Sequence, residues 1–189
     1  SSTKEQFLAD LKQQKLVEAT TRSEGAVTCE EKHYTDEMIS MSEAERKFLK
    51  DIAVAFHEKR DLLPQAISFI GPPGTGKSVR ANYLASLMGG VPVLKLGNVS
   101  SGGLRGKKED RYRAAIEAAK RLAPCVLCID ELEKIFPNTE KTGNKSNDDD
   151  EVIAYLQSEI GSKGMQGVVI IGTSNHPQNL DTAMLRNGR

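Results

Sequence analysis

An excess of charge of either sign is missing from this sequence. Lys plus Arg and Asp plus Glu each number 26, for a formal net charge of zero, so no electrostatic surplus points to nucleic acid or an anionic membrane surface as a partner. Also missing is any apolar run near the ~20 residues that a membrane-spanning helix needs. The polar opening Ser1–Lys4 is unlike the charged-then-apolar start of a secretory signal. Cysteine is scarce. Cys29, Cys125 and Cys128 are too few for a disulfide scaffold and fit a reducing compartment, the cytoplasm or an organelle interior. No internal repeat is visible. What is present is a chain of 189 residues, enough for one main domain with a small appendage but not for two full domains.

Hydrophobic spacing divides the chain into two regimes. Thr3 with Gln6 reads as a capping box for a first helix carrying Phe7, Leu8 and Leu11, whose apolar stripe fades after one or two turns. Residues from Thr20 to His33 are polar and without a sustained period, which predicts a loop or linker. Ser42 with Glu45 is a second capping box, followed by Phe48, Leu49, Ile52, Ala55 and Phe56 at helical spacing and by a stop near Pro64. From Ala66 onward the runs Ala66–Ile70, Val91–Leu96, Cys125–Ile129 and Val168–Ile171 alternate with helical segments. One helix places Tyr112, Ala115, Ile116, Ala119 and Leu122 on a stripe, and another Val152, Ile153, Leu156 and Ile160. Short apolar strands alternating with amphipathic helices predict an α/β fold with a buried parallel sheet. Between Pro137 and Asp150 no large apolar residue occurs, which predicts a surface loop.

Two motifs carry chemistry. Gly71-Pro72-Pro73-Gly74-Thr75-Gly76-Lys77-Ser78 follows a predicted strand, opens a predicted helix and matches the phosphate-binding pattern G-x-x-x-x-G-K-[ST]. Its glycines let backbone N–H groups approach phosphate oxygens, and the helix adds the positive end of its dipole. Pro73, Gly74, Thr75, Gly76, Lys77, Ser78 and Val79 are the expected ATP contacts, Lys77 reaching the β- and γ-phosphates and the Ser78 hydroxyl coordinating Mg2+. The second motif is the apolar run Cys125–Ile129 ending in Asp130 and Glu131, at the strand end where open α/β sheets place ligands. Asp130 is expected to hold Mg2+ or its water, and Glu131 to orient and polarise the water that attacks the γ-phosphate.

Further along, Val168–Gly172 runs into Thr173-Ser174-Asn175, and Leu180-Asp181-x-Ala183-x-Leu185-Arg186-x-Gly188-Arg189 follows. With the two motifs above, this ordered set resembles the AAA family of ATPases over about residues 63–189, closest in motif style to FtsH-type and plastid or cyanobacterial AAA proteins. The resemblance implies a three-layer P-loop NTPase sandwich with a parallel five-stranded sheet. It assigns Asn175 to the γ-phosphate or attacking water, and Arg186 and Arg189 to a neighbouring subunit's nucleotide. Such an arginine contributes about 10³ to 10⁵ in rate. Gly102-Gly103-Leu104-Arg105-Gly106 followed by Arg111 and Arg113 resembles the family's pore loop, with Leu104 at the substrate-gripping position and Arg105 beside it. Many members have an aromatic residue where Leu104 stands.

These readings set the expected organisation: a helical N-terminal segment and linker over residues 1–62, then the large nucleotide-binding subdomain of an AAA ATPase over 63–189, cut before the family's helical lid. By resemblance the intact protein is a ring, hexameric, that hydrolyses ATP with Mg2+ to remodel or translocate a protein partner, and the plastid stroma joins the possible compartments. The alternative is an ATP-gated assembly module with slow hydrolysis. Three other patterns are set aside. His57-Glu58-Lys59-Arg60-Asp61 lacks the second histidine of a zinc-protease motif. Cys125 and Cys128 sit three apart in a strand and so face opposite ways. The basic run from Arg105 to Arg113 is broken by Glu109 and Asp110, as in a solvated helix start rather than a nucleic-acid groove.

Overall fold

The four apolar runs become four parallel strands, and a short fifth strand from the N-terminal segment joins their edge. The computed structural model describes residues 2–22, 27–30, 34–58, 66–70, 76–96, 107–135, 137–138, 147–160 and 165–180. Its strands are β1 (Val27–Glu30), β2 (Ala66–Ile70), β3 (Val93–Leu96), β4 (Cys125–Ile129) and β5 (Val168–Ser174). They lie in the spatial order β1-β3-β4-β5-β2. Pairing is parallel for β3 with β4, β4 with β5 and β5 with β2, and antiparallel for β1 on β3, with Val27 opposite Leu96. The sheet therefore differs from the parallel five-stranded one expected of residues 63–189: among the described residues that region supplies four parallel strands, and the fifth is an antiparallel edge strand from the N-terminal segment.

Among the described residues six α-helices cover the two faces: α1 (Ser2–Arg22), α2 (Glu43–Glu58), α3 (Lys77–Leu87), α4 (Lys107–Leu122), α5 (Leu132–Ile135) and α6 (Asn147–Ile160). On one face Leu16 and Ala19 of α1, Ile116 and Ala119 of α4 and Leu156 of α6 pack with Leu94, Leu127 and Ile170. On the other, Leu49, Ile52 and Phe56 of α2 and Leu84 of α3 pack with Val93, Val126 and Val169. All five residues of β4 are buried. They alternate between the two layers, which separates Cys125 from Cys128 as the spacing requires. The result is a three-layer α/β sandwich.

Three local expectations are corrected. Residues 27–30 form a strand rather than loop: Val27 and Cys29 alternate with polar neighbours, and an edge strand paired on one side needs no longer signal. The first helix starts at Ser2, which places Thr3 inside it rather than at its cap, and it runs on to Arg22. Leu16 and Ala19 bury its second half against the sheet layer. The last stretch of the expected loop before Asp150 is already helix, since α6 begins at Asn147. Asn followed by Asp148, Asp149 and Asp150 suits a helix N-terminus, where acceptors and negative charge are stabilising. By contrast the second capping box forms as read. The Ser42 hydroxyl accepts from the Glu45 N–H at 3.2 Å, and Glu45 Oε2 accepts from the Ser42 N–H at 3.3 Å.

Candidate nucleotide site

The connections after β2 and β4 leave for opposite faces, α3 to one and α6 to the other, and β5 lies between those strands. Such an arrangement opens a crevice at the strands' carboxyl ends, where open α/β sheets bind ligands. Register brings the relevant residues to that edge: Ile70 of β2 is level with Ser174 of β5, and Ile129 of β4 with Gly172. Asp130 and Glu131 leave β4 there, Asn175 follows the last residue of β5, and Gly76 and Lys77 begin α3 beyond β2.

Gly76 has a φ of 72° and a ψ of 28°, a left-handed conformation that glycine adopts without steric cost. It turns the chain into α3, whose first-turn N–H groups are the donors a phosphate takes. Lys77 is the first residue of α3; its side chain lies outside the described residues, as do Pro73, Gly74 and Thr75. Ser78 is half-buried in the same turn, and its carbonyl accepts from Asn82 Nδ2 at 2.9 Å. Val79 packs its side chain into the α2–α3 layer, so its contribution to a ligand is through its backbone. Arg80 is committed elsewhere: Nε and Nη2 bond Glu45 Oε1 at 3.2 and 3.0 Å. Burial would raise the Glu45 carboxyl, but the Ser42 N–H and the Arg80 charge outweigh it and hold the group below its ordinary value.

At the end of β4, Asp130 is exposed, and its Oδ1 accepts from the Thr173 hydroxyl at 2.8 Å. Glu131 follows with a φ of 56°. This is the left-handed region, which costs a residue with a Cβ roughly 1–2 kcal/mol. Glu133, two residues on in α5, is buried, and its Oε2 accepts from the Ser174 hydroxyl at 2.6 Å. Ser174 Oγ in turn accepts from the His176 N–H at 3.3 Å. α5 can approach this closely because position 172 has no side chain: a Cβ on Gly172 would lie 2.2 Å from Leu132 Cδ1 and 2.9 Å from its Cγ. Thr173, Ser174, Glu133 and Gly172 were not assigned roles from the sequence. The signal was two hydroxyls placed where an apolar strand ends, opposite a strand that ends in acids.

The donor set suits a magnesium–nucleotide site. Magnesium keeps several waters and takes one or two protein oxygens beside those of the phosphates, so the Asp130 carboxylate and the Ser78 hydroxyl suffice. Among the described residues no group of three or more His, Cys, Asp or Glu side chains could hold a metal by itself. Cys125 offers no nucleophile here, because burial, with Cys29 second, pushes its thiol up to about 12. Leu104, Arg105, Arg186 and Arg189 lie outside the described residues.

A mainly parallel sheet with helices on both faces, a left-handed glycine turning into α3 and acids at the end of β4 together define a P-loop nucleotide-binding domain. Residues 67–189 match the AAA family, the "ATPase family associated with various cellular activities", and the chain belongs to that family. Its relatives include the ATP-dependent zinc metalloprotease FtsH of Acidothermus cellulolyticus, 34% identical over 67% of this chain and 20% of that one. They also include the AAA domain-containing protein ycf46 of Trieres chinensis, 36% identical over 67% of this chain and 25% of that one. The crystal structure of the FIGL-1 AAA domain superposes with a TM-score of 0.68 at 21% identity, over 89% of this chain and 57% of that one. That likeness bears on the fold. The chain spans a quarter or less of the length of the curated relatives it matches.

Proposed function

We propose that this AAA domain binds ATP with Mg2+ at the carboxyl ends of β2, β5 and β4 and hydrolyses it. The observation that carries the reading is the meeting, at one sheet edge, of the left-handed Gly76 turn into α3 with Asp130 and Asn175 from the ends of β4 and β5. Backbone N–H groups of residues 74–79, with the Pro73 backbone lining the same turn, and the Lys77 ammonium hold the phosphates. Ser78 and Asp130 hold the metal, which neutralises charge on the phosphate oxygens when bound. Thr173 aims the Asp130 carboxylate through its 2.8 Å bond. Glu131 orients the attacking water and takes up its proton, and Asn175 contacts the γ-phosphate side.

In the intact protein Arg186 and Arg189 complete a neighbouring subunit's site, which makes the working form a ring, hexameric by family resemblance. Leu104 and Arg105 meet a protein substrate at its centre. That FtsH is an ATP-dependent protease supports a protein substrate for this chain. A second reading, ATP-gated assembly with slow hydrolysis, is favoured by Leu104 itself, since leucine presents less flat contact area than an aromatic ring. The large subdomain is assigned to residues 63–189, and residues 1–62 are assigned to a helical segment that packs onto it.

Titration with ATP alongside steady-state phosphate release tests the site. Glu131→Gln is expected to keep ATP affinity within about twofold and to lose 10²-fold or more of turnover, whereas Lys77→Ala weakens binding itself. Full turnover in Glu131→Gln, or no ATP binding by the unaltered chain, overturns the proposal. Dependence of the rate on protein concentration separates the two readings, a ring giving cooperative, substrate-stimulated turnover.

A further inference from the structure

Backbone pairing between β4 and β5 ends at Ile129 with Gly172, yet the residues assigned to the chemistry, Glu131 and Asn175, both lie beyond that last rung. Side chains take over there. Thr173 and Ser174 are neighbours on β5 and so point to opposite faces. The first donates to Asp130 and the second to Glu133, at 2.8 and 2.6 Å. The two acids flank Glu131 on either side in sequence. Ser174 Oγ also accepts from the His176 N–H, which brackets Asn175 between a bonded residue before it and another after it. Glu133 is 8% exposed and Ser174 fully buried. Their bond is thus made away from water, where a carboxylate without its donor is costly.

We infer that Glu133 and Ser174 are a positioning pair, which fixes Asn175 relative to Glu131 and thereby sets how strongly the site prefers a nucleoside triphosphate over a diphosphate. The inference rests on the nucleotide site proposed above and adds two residues that touch neither phosphate nor water. Breaking the pair leaves the P-loop contacts to the α- and β-phosphates in place. What it loses is the aim of the side chain that meets the terminal phosphate, so the penalty falls on ATP and not on ADP.

The test is titration of the chain with fluorescent ATP and ADP in Mg2+, with circular dichroism as the check on folding. The unaltered chain is expected to bind ATP more tightly than ADP, and Asn175→Ala to narrow that ratio. Ser174→Ala is expected to narrow it about tenfold through ATP alone, while Ser174→Thr, which retains the hydroxyl, preserves it. If Ser174→Ala does not fold, Glu133→Leu removes the other end of the same bond and is read by the same criterion. An unchanged ratio in the folded variant overturns the inference, as does an equal loss of ATP and ADP, the mark of a merely structural role. Equal affinity of the unaltered chain for both nucleotides, or no effect of Asn175→Ala, overturns it too while leaving nucleotide binding intact. No binding of either nucleotide instead sinks the nucleotide site itself.

Discussion

Glu131 carries a side chain in a backbone conformation that favours glycine, with a φ of 56°. Energy stored at such a position persists only where the surroundings hold it, and it concentrates at functional sites. Here the neighbours hold it from both sides, Asp130 through Thr173 and Glu133 through Ser174. With the role proposed for Glu131, stability and chemistry conflict at one residue. Glu131→Ala and Glu131→Gly both remove the carboxylate, but only glycine also relieves the backbone. The glycine variant is expected to be about 1 kcal/mol more stable than the alanine variant, visible as a higher melting temperature, with both inactive. Alanine equal to or above glycine would show that the backbone there carries no strain.

At the scale of elements, α1 divides into halves of different worth. Phe7, Leu8 and Leu11 are exposed, whereas Leu16 and Ala19 are buried in the layer shared with α4. Leu16→Ala is expected to cost about 2–4 kcal/mol and Phe7→Ala less than about 0.5 kcal/mol, as read by urea unfolding. This division also shows what the sequence can and cannot reveal. The apolar spacing at the start of α1 was legible but belongs to its exposed half, while the anchoring half has only Leu16 and Ala19 as its signal. Strands β2 and β4 were legible to the residue, because short β-rich runs closed off by Gly71 in one case and by Pro124 and Asp130 in the other are too brief for a helix. β5 extends three residues past its apolar run, through Gly172, Thr173 and Ser174, because β2 supplies a partner for each of the three. That extension is also why the acids of the site could be read from the chain while their hydroxyl partners could not: register across strands decides who meets whom.

Taken whole, the molecule ties its N-terminal segment to the nucleotide-binding layer by charge as well as by apolar packing. Asp36 meets Lys50 at 2.7 Å, accepts from the buried Tyr83 hydroxyl of α3 and lies near Arg46, while Glu45 joins Arg80. Hydrogen bonds from Lys50 and then Tyr83 hold the Asp36 carboxyl below its ordinary value, and Glu45 is likewise lowered. A depressed carboxylate contributes stability above its unfolded pKa, about 4, and loses it as pH falls through the folded value. The urea midpoint is therefore expected to drop as the pH falls below about 4. That drop should be smaller in an Asp36→Asn, Glu45→Gln variant. An equal acid dependence in both proteins would place the acid-labile contacts elsewhere.

The bare α-carbon at position 172 reaches furthest. Because Leu132 fills the space where a methyl would go, the distance between α5 and the central sheet is gauged by a hydrogen atom, and position 172 can enlarge only if Leu132 gives way. Gly172→Ala should fail alone yet be tolerated beside Leu132→Ala, a coupling that a double-mutant cycle on unfolding free energy reads directly. Enlargement at 172 is thereby tied to trimming at 132, and a lineage that takes the first step without the second shifts the seat from which Asp130 and Glu131 leave the sheet.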